Sequence, residues 1–547
     1  MQQQWIKGLT NEFGRLASGV GTRMPEGTNT IKFIQKKAVP NGRTVTYGNM
    51  VCDIRPQKVE THRVRLTVGG DRVDFPGDVS TPTSDLTTAK CLINSIVSTP
   101  KAKGLCADVK DFYLNTEMER FEYMKIRLEV IPQEIIDQYE LNKVTCNGWV
   151  YIEIQKGMYG LPQAGILANN KLKIHLAQYG YYPTKFMPGL WQHESKDVTF
   201  ALTVDDFFIK YTDKDDATHL LNALKDQYTI SEDWAASLYC GVKLDWDYQQ
   251  RTCILSMPEY VTAALKSFQH TKPSRAQHAP HPWVKPTYGQ KVQLTEEQDT
   301  SPLLDAEGVN LIQRIIGKFY YYARAVDHTM LVALGELATK QTLGTATEQV
   351  MQDVIHFLNY AATHPNAAIK YKASGMVLHV DSDASYLSVR KARSRVGGFH
   401  YLSSPSADSR KQPVTTPELN GPLHAVCAIM KNVMASAAEA EMGALFVNGQ
   451  EVMILRTILA EMGHPQPPTP IRTDNSTASG ITNNTIRQRR SRSMDMRFYW
   501  VRDRVQQGQL IIYWGPGKEN LGDFRRCVVS SVNWWRRCRS LRADNPP

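Results

Sequence analysis

The sequence predicts an α+β multidomain protein, and three observations carry that prediction. At 547 residues the chain is long enough for three or four domains, each with its own core. From Arg63 to about Trp246, short β-type runs alternate with helical ones, and a second such block runs from about Met376 to Asp523. Between the two blocks, residues 305–364 read as helices.

Hydrophobic residues make up 42% of the chain and charged residues 22%, which fits folded domains and excludes a disordered chain. Lys plus Arg (64) exceeds Asp plus Glu (54), a surplus compatible with a polyanionic partner. The nine cysteines (Cys52, Cys91, Cys106, Cys146, Cys240, Cys253, Cys427, Cys527 and Cys538) are scattered, and none forms a Cys-x-x-Cys pair. That pattern excludes a zinc ribbon or a disulfide framework and predicts a reducing, intracellular compartment. The start, Met-Gln-Gln-Gln-Trp, lacks the features of a secretory signal, and no apolar run approaches the eighteen or so residues that span a bilayer. A soluble protein without a membrane partner is expected.

In chain order, residues 1–60 read as irregular, with turns at Pro25-Glu26-Gly27 and Pro40-Asn41-Gly42. The first block has β-type runs at Arg65–Val68, Gly148–Gln155, Val198–Tyr211 and Ser237–Trp246. Its helical runs are Thr87–Val97, Leu167–Gln178 and Ala217–Gln227. A helical piece over 258–268 follows, then a Pro- and His-rich loop to about Lys291. The middle helices show apolar spacing at Leu311-Ile312, Ile315-Ile316, Phe319-Tyr320 and at Val350, Val354-Ile355, Leu358. The second block opens with a strand at Met376–Val380 and continues with a helix over Ala425–Phe446 and strands at Pro470–Thr473 and Gln509–Trp514. From Phe524 the text is Arg- and Trp-rich without periodicity.

The chemistry starts at Asp205-Asp206, set in the run Phe200-Ala201-Leu202-Thr203-Val204-Asp205-Asp206-Phe207-Phe208-Ile209. Paired carboxylates between β-prone stretches predict a hairpin tip, and like charges that close favour a divalent cation between them. An Asp-Asp turn is the plain alternative. A second acid ends an apolar stretch in Leu105-Cys106-Ala107-Asp108-Val109-Lys110-Asp111-Phe112-Tyr113. Laid beside the hairpin it makes three converging carboxylates, the set that two metals clamping a phosphoryl transfer require. A helix N-cap or a surface acid is the alternative for Asp108. Between them, Lys156-Gly157-Met158-Tyr159-Gly160-Leu161-Pro162-Gln163-Ala164-Gly165 is a Gly-containing turn that lets backbone approach a ligand, or simply joins a strand to a helix.

The order Asp108, Tyr159-Gly160-Leu161, Val204-Asp205-Asp206 resembles motifs A, B and C of reverse transcriptases. More narrowly it resembles the Pol polyprotein of copia-type retrotransposons. Matching segments are His62-Arg-Val-Arg-Leu-Thr-Val-Gly-Gly70, Asp108-Val-Lys-Asp-Phe-Tyr-Leu-Asn115 and Leu238-Tyr-Cys-Gly-Val-Lys243, and the likeness covers most of residues 45–525. The resemblance implies a fingers–palm–thumb polymerase, a helical connection and an RNase H-like α/β domain. Asp108, Asp205 and Asp206 would hold two Mg²⁺ ions, or Mn²⁺. Tyr113 would be an aromatic gate against a ribose 2′-hydroxyl. Arg63 and Arg65 would grip the triphosphate from the fingers, or else be solvated strand charges, and Tyr159 and Gly160 would line the nucleotide site. Thr203 departs from the aromatic usual two places before the acid pair.

The second block carries acids in Val380-Asp381-Ser382-Asp383-Ala384, Ala438-Glu439-Ala440-Glu441, Thr473-Asp474-Asn475 and Asn520-Leu521-Gly522-Asp523. Four acids on separate elements suit a two-metal hydrolytic centre, and N-caps or surface acids are the alternative for any one of them. Their order resembles the Asp-Glu-Asp-Asp set of RNase H, which places the catalytic and metal-holding roles on Asp383, Glu441, Asp474 and Asp523. Asp381 and Glu439 remain competitors. Arg487-Gln-Arg-Arg-Ser-Arg492 with Arg497, Tyr499 and Trp500 would track phosphates or form a solvated helix face.

The expected division is an N-terminal extension (1–60), fingers and palm (61–250), thumb and linker (251–300), helical connection (301–375), RNase H-like domain (376–525) and an atypical basic tail (526–547). The implied activity is RNA- and DNA-directed DNA synthesis with hydrolysis of RNA in RNA–DNA hybrids. The alternatives are an impaired remnant that still binds nucleic acid, or hydrolysis alone. The implied partners are an RNA template, a DNA primer, the RNA–DNA hybrid, deoxynucleoside triphosphates, and self-association or other polyprotein products. The implied location is the cytoplasm, in a virus-like particle, with a nuclear phase. The sequence shows no gag zinc knuckle, Asp-Thr/Ser-Gly protease motif or integrase acid set, so a C-terminal portion of a larger polyprotein, or a truncated copy, is expected.

Overall fold

The computed structural model describes residues 2–54, 60–282, 299–389, 392–405, 417–485 and 495–523. It is built on four sheets. The first has the order β1-β6-β5-β2-β3, from Ile31–Ile34 (β1), Val45–Ile54 (β2), His62–Val68 (β3), Glu117–Arg127 (β5) and Trp149–Lys156 (β6). Residues 45–47 of β2 pair with β5, and the rest of the strand leaves that neighbour and forms a two-stranded ribbon with β3. The helix Gln2–Leu16 packs on β3, and Phe13, Leu16, Leu66, Met124 and Ile152 share one buried core.

The second sheet has the order β11-β4-β10-β9-β8-β7. Its strands are Lys103–Val109 (β4), Tyr181–Pro183 (β7), Leu190–His193 (β8), Val198–Thr203 (β9), Asp206–Tyr211 (β10) and Ile230–Asp233 (β11). Strand alternation gives each face its own core. Leu105, Ala107, Phe207 and Ile209 meet the helices Ala164–Ala177 and Lys214–Lys225, while Cys106, Ala201 and Phe208 meet the helix Leu86–Ser98. The acids of β4 and β10 sit at the parity of this second face.

Strands β12 (Leu238–Tyr239), β13 (Val242–Asp247), β14 (Thr252–Ser256) and β15 (Ala368–Lys372) form the third sheet. β14 and β15 pair across the whole helical middle, Ala306–Ala325, Leu331–Ala338 and Glu348–Thr363. The last sheet has the order β18-β17-β16-β19-β20, from Val377–Val389 (β16), Arg393–Ser403 (β17), Pro422–Ile429 (β18), Thr469–Thr473 (β19) and Leu510–Trp514 (β20). β16–β17–β18 is an antiparallel meander, and β16–β19–β20 is parallel. One continuous core runs from Ala89 through Phe319 and Phe357 to Ile471 and Ile512, so helices, third sheet and last sheet are packed as one body. Among the described residues, no helix is long and apolar enough to cross a membrane.

The α+β multidomain expectation holds, with corrections inside it. Residues 2–54 are not irregular: they supply a fifteen-residue helix and two strands of the first sheet. The helix expected over Ala425–Phe446 is two elements, strand β18 and the helix Ala437–Glu461. A capping box separates them: Ser436 Oγ accepts the Glu439 N–H at 3.1 Å, and Glu439 Oε2 accepts the Ala435 N–H at 2.7 Å. β16 runs on to Val389 instead of ending at Val380, and β17 had no counterpart in the expected elements. The basic segment 487–492 and the tail after Asp523 lie outside the described residues.

Candidate active site

The hairpin β9–β10 turns through Val204 and Asp205, with Thr203 opposite Asp206. Val204 takes φ +61°, a left-handed conformation that a β-branched side chain resists, so the tip is strained where the acids project. On the other side of β10, Asp206 is the register partner of Asp108, and the Val109 N–H donates to Asp205 O at 3.0 Å. Ladder pairing therefore brings all three sequence-predicted acids to one end of the central strands. Burial, then Asp205 and Asp108, push the Asp206 carboxyl up to about 6. Burial and Asp108 also raise Asp205, against its own backbone N–H and Arg65. Three repelling carboxylates, half-buried at Asp205 and Asp206 and exposed at Asp108, offer oxygen-only donors that fit a hard divalent cation.

The expected nucleotide-side residues lie around this tip. Tyr113 packs edge-on to Tyr159 with ring centres 5.8 Å apart, and burial followed by the nearby Asp205 raises its hydroxyl. Gly160 has φ +95°, and a Cβ there would lie 2.2 Å from Val68 O, so the turn closes on β3 only with glycine. The Val68 N–H donates to Tyr159 O at 2.8 Å, which locks the turn to the fingers strand.

The two arginines part company. Arg65 is exposed, with its guanidinium 5.1 Å from the Tyr159 ring centre. Arg63 is taken up by Glu60 at 2.7 Å and by Glu12 at 3.8 Å. Glu12, buried on the N-terminal helix, also accepts the Leu66 N–H at 3.1 Å, and burial pushes its carboxyl up to about 7. Sequence reasoning missed Glu12, because only the folded chain brings the N-terminal helix to β3. Thr203, the departure from the aromatic pattern, donates to Ser84 O at 3.0 Å and shares a hydrogen bond with Tyr239 Oη at 2.9 Å.

In the second block, Asp383 on β16, Glu441 on the helix Ala437–Glu461 and Asp474 after β19 have ligand atoms all within 4.8 Å of one another. Among the described residues they are the one group so gathered; Asp108, Asp205 and Asp206 do not reach that spacing. Glu441 Oε1 accepts the Ala384 N–H at 3.1 Å and Oε2 the Thr473 hydroxyl at 3.4 Å, which ties the helix acid to both strands. The competitors are occupied elsewhere. Asp381 Oδ2 accepts from Arg472 at 2.6 Å and from the Leu521 N–H at 3.1 Å, and Glu439 serves the helix cap. Asp523 lies outside the group, although Gly522 beside it packs on the backbone of 381–383, where a Cβ would meet Asp381 O and Asp383 N at 3.0 Å. Arg497 and Trp500 pack on Phe446, while Tyr499 remains exposed.

Residues 43–280 match the family described as reverse transcriptase (RNA-dependent DNA polymerase). Over 497 residues the chain is 21% identical to the Retrovirus-related Pol polyprotein from transposon TNT 1-94 of Nicotiana tabacum, covering 88% of this chain and 34% of that protein. Over 384 residues it is 23% identical to the Retrovirus-related Pol polyprotein from transposon RE1 of Arabidopsis thaliana, covering 68% of this chain and 23% of that protein. A foamy viral protease-reverse transcriptase solved with double-stranded DNA aligns at TM-score 0.46 and 9% identity, over 89% of this chain and 67% of that one. The chain thus contains a reverse-transcriptase domain. Both curated relatives are retrotransposon Pol polyproteins, and the chain spans about a third or less of their length.

Proposed function

We propose that the chain is an RNA-directed DNA polymerase that also hydrolyses the RNA of RNA–DNA hybrids. The register Asp206 opposite Asp108, beside a strained Val204-Asp205 tip, carries the first half of that reading. Asp108, Asp205 and Asp206 would hold Mg²⁺ or Mn²⁺, which supplies the positive charge that phosphoryl transfer needs at the attacking and leaving oxygens. Around it the chain's own groups orient the reactants. Arg65 faces the site as a triphosphate ligand, and Arg63 holds the strand that carries it. Tyr113, fixed against Tyr159, excludes a 2′-hydroxyl by its bulk. Asp383, Glu441 and Asp474 would hold the same ions for hydrolysis, with Asp523 joining from the segment against β16. RNA template, DNA primer, hybrid and deoxynucleoside triphosphates are the substrates this reading requires. A cytoplasmic particle with a nuclear phase, and assembly with itself or other polyprotein products, accompany it.

Extension of a DNA primer on an RNA template by the purified chain, lost in Asp205→Asn, tests the first centre. A chain that extends no primer under any Mg²⁺ or Mn²⁺ condition would falsify the polymerase reading. A second reading, hydrolysis alone, is favoured by the tighter gathering of the second acid set. Hybrid cleavage that survives Asp205→Asn and disappears in Asp474→Asn, with no extension at all, would select it.

A further inference from the structure

One buried ion pair stands beside the centre of Asp383, Glu441 and Asp474 without belonging to it. Asp381 on β16 and Arg472 on β19 are register partners, 1% and 4% exposed, with Arg472 Nη2 2.6 Å from Asp381 Oδ2. Taking two charges out of water is costly, and their attraction offsets that only when further hydrogen bonds complete the pair. The bonds that do so come from one short stretch, residues 519–521. Asp381 Oδ2 also accepts the Leu521 N–H at 3.1 Å. The Arg472 guanidinium donates to the Glu519 carbonyl and lies 3.8 Å from the Glu519 carboxylate.

The same stretch is tied to the strand between Asp381 and Asp383. Asn520, fully buried, donates from Nδ2 to the Ser382 carbonyl at 2.9 Å, and its Oδ1 accepts the Gly522 N–H at 2.9 Å. Leu521 packs with Phe399 and Tyr401 of β17. Asp523 follows directly, its N–H donating to the Asn520 carbonyl at 3.3 Å. A surface turn closes without a buried ion pair. A turn that delivers a carboxylate beside Asp383 gains from one, because the placement of a metal ligand depends on the groups that hold it from behind.

We propose that Asp381 and Arg472 are positioning residues for Asp523: their pair holds residues 519–522 against β16 and presents a fourth carboxylate for a second divalent ion at the centre of Asp383, Glu441 and Asp474. The acid that competes with Asp383 on the same strand thus serves the centre through another residue. The inference rests on the hydrolytic reading of this centre, but ion binding tests it without catalysis.

The test uses the full chain with Asp205→Asn in every sample, so that ion binding at the first centre is weakened equally. Bound Mn²⁺ per chain is read from the electron paramagnetic resonance of the free ion, and hybrid cleavage is followed against Mn²⁺ concentration. The double variant Asp381→Leu with Arg472→Met removes both charges together, an exchange that leaves a buried site close to its original stability. It should bind one Mn²⁺ fewer than the parent and raise the Mn²⁺ needed for half-maximal cleavage about 10- to 100-fold. Asp523→Asn should do the same, and combining it with the double variant should cost nothing more. Arg472→Lys keeps the charge opposite Asp381 but cannot also reach the Glu519 carbonyl, and should shift the Mn²⁺ requirement the same way. Unchanged ion count and Mn²⁺ requirement in the folded double variant or in Arg472→Lys would overturn the proposal. So would losses that add to those of Asp523→Asn, or a parent that binds no more Mn²⁺ than Asp523→Asn. If the ion counts follow this pattern while the parent cleaves no hybrid, the hydrolytic reading fails and the positioning role stands.

Discussion

At the scale of single residues, the first acid centre holds its repulsion at Asp206. Asp206 has a folded pKa of about 6, above the value of an exposed aspartate, so it takes up a proton on folding in the window between them. Its stabilising contribution is present at low pH and is lost as pH rises through about 6; at pH 7 to 8 the ionised group strains the metal-free fold. Asp206→Asn should therefore stabilise the metal-free protein at pH 7.5 by about 1 kcal/mol, discounted for the water that reaches the site, while abolishing extension. Denaturant unfolding with chelator present would show it, and a less stable variant would contradict it. For the same reason extension should rise as pH climbs through about 6, where the carboxylates become ionised ligands. Gly160→Ala is the opposite case. It forces a Cβ onto Val68 O at a positive φ, and should cost about 2–4 kcal/mol of stability, visible as a lowered melting temperature.

At the scale of elements, the meeting of Asp108 with Asp205-Asp206 was legible because each ends an apolar β-type run, and their order along the chain set aside the turn and cap alternatives that any one of them allows. What the sequence could not give was which of two neighbours faces the site. Asp381 and Asp383 share a strand parity, as do Arg63 and Arg65. The choice is made by partners that strand parity does not show: Arg472 and Leu521, far away in sequence, for Asp381, and distant Glu12 with nearby Glu60 for Arg63. The helix over Ala425–Phe446 was misread because an apolar stretch of Ala, Val and Cys fits either period, although Ser436-Ala-Ala-Glu439 marks the true start. The N-terminal helix was hidden among turn residues. Ser436→Ala should cost about 1 kcal/mol by loosening that cap. Glu439→Ala should cost a similar amount and leave hybrid cleavage intact, whereas Glu441→Ala should abolish cleavage with the fold retained. Cleavage lost equally in both would contradict the division of roles between these two glutamates.

At the scale of the whole molecule, the last sheet is fastened to the body that carries the first acid centre. Glu461, at the end of the helix Ala437–Glu461, accepts the Thr184 hydroxyl and the Phe186 N–H, both at 2.7 Å, and Arg395 on β17 pairs with Glu336 of the middle helices. Deeper in the seam, Lys210 Nζ donates to Ser95 Oγ at 2.9 Å, and Ser95 meets His464 Nε2 at 2.7 Å. Burial and the facing Lys210 hold His464 down at about 4, so the folded seam keeps it neutral beside Ser95. A histidine depressed below its free value contributes stability that is complete above about 6.5 and fades as pH falls toward 4. His379, buried in the last sheet and likewise held at about 4, titrates in the same window. Acidification from pH 7.5 to 5 should therefore loosen the seam before the sheets themselves melt. Amide hydrogen exchange should rise first over 92–97 and 458–464. His464→Gln, neutral at every pH, should flatten that rise without abolishing the overall acid sensitivity, because His379 remains. Exchange that rises equally in parent and variant would show that the seam is held by the Glu461 contacts alone.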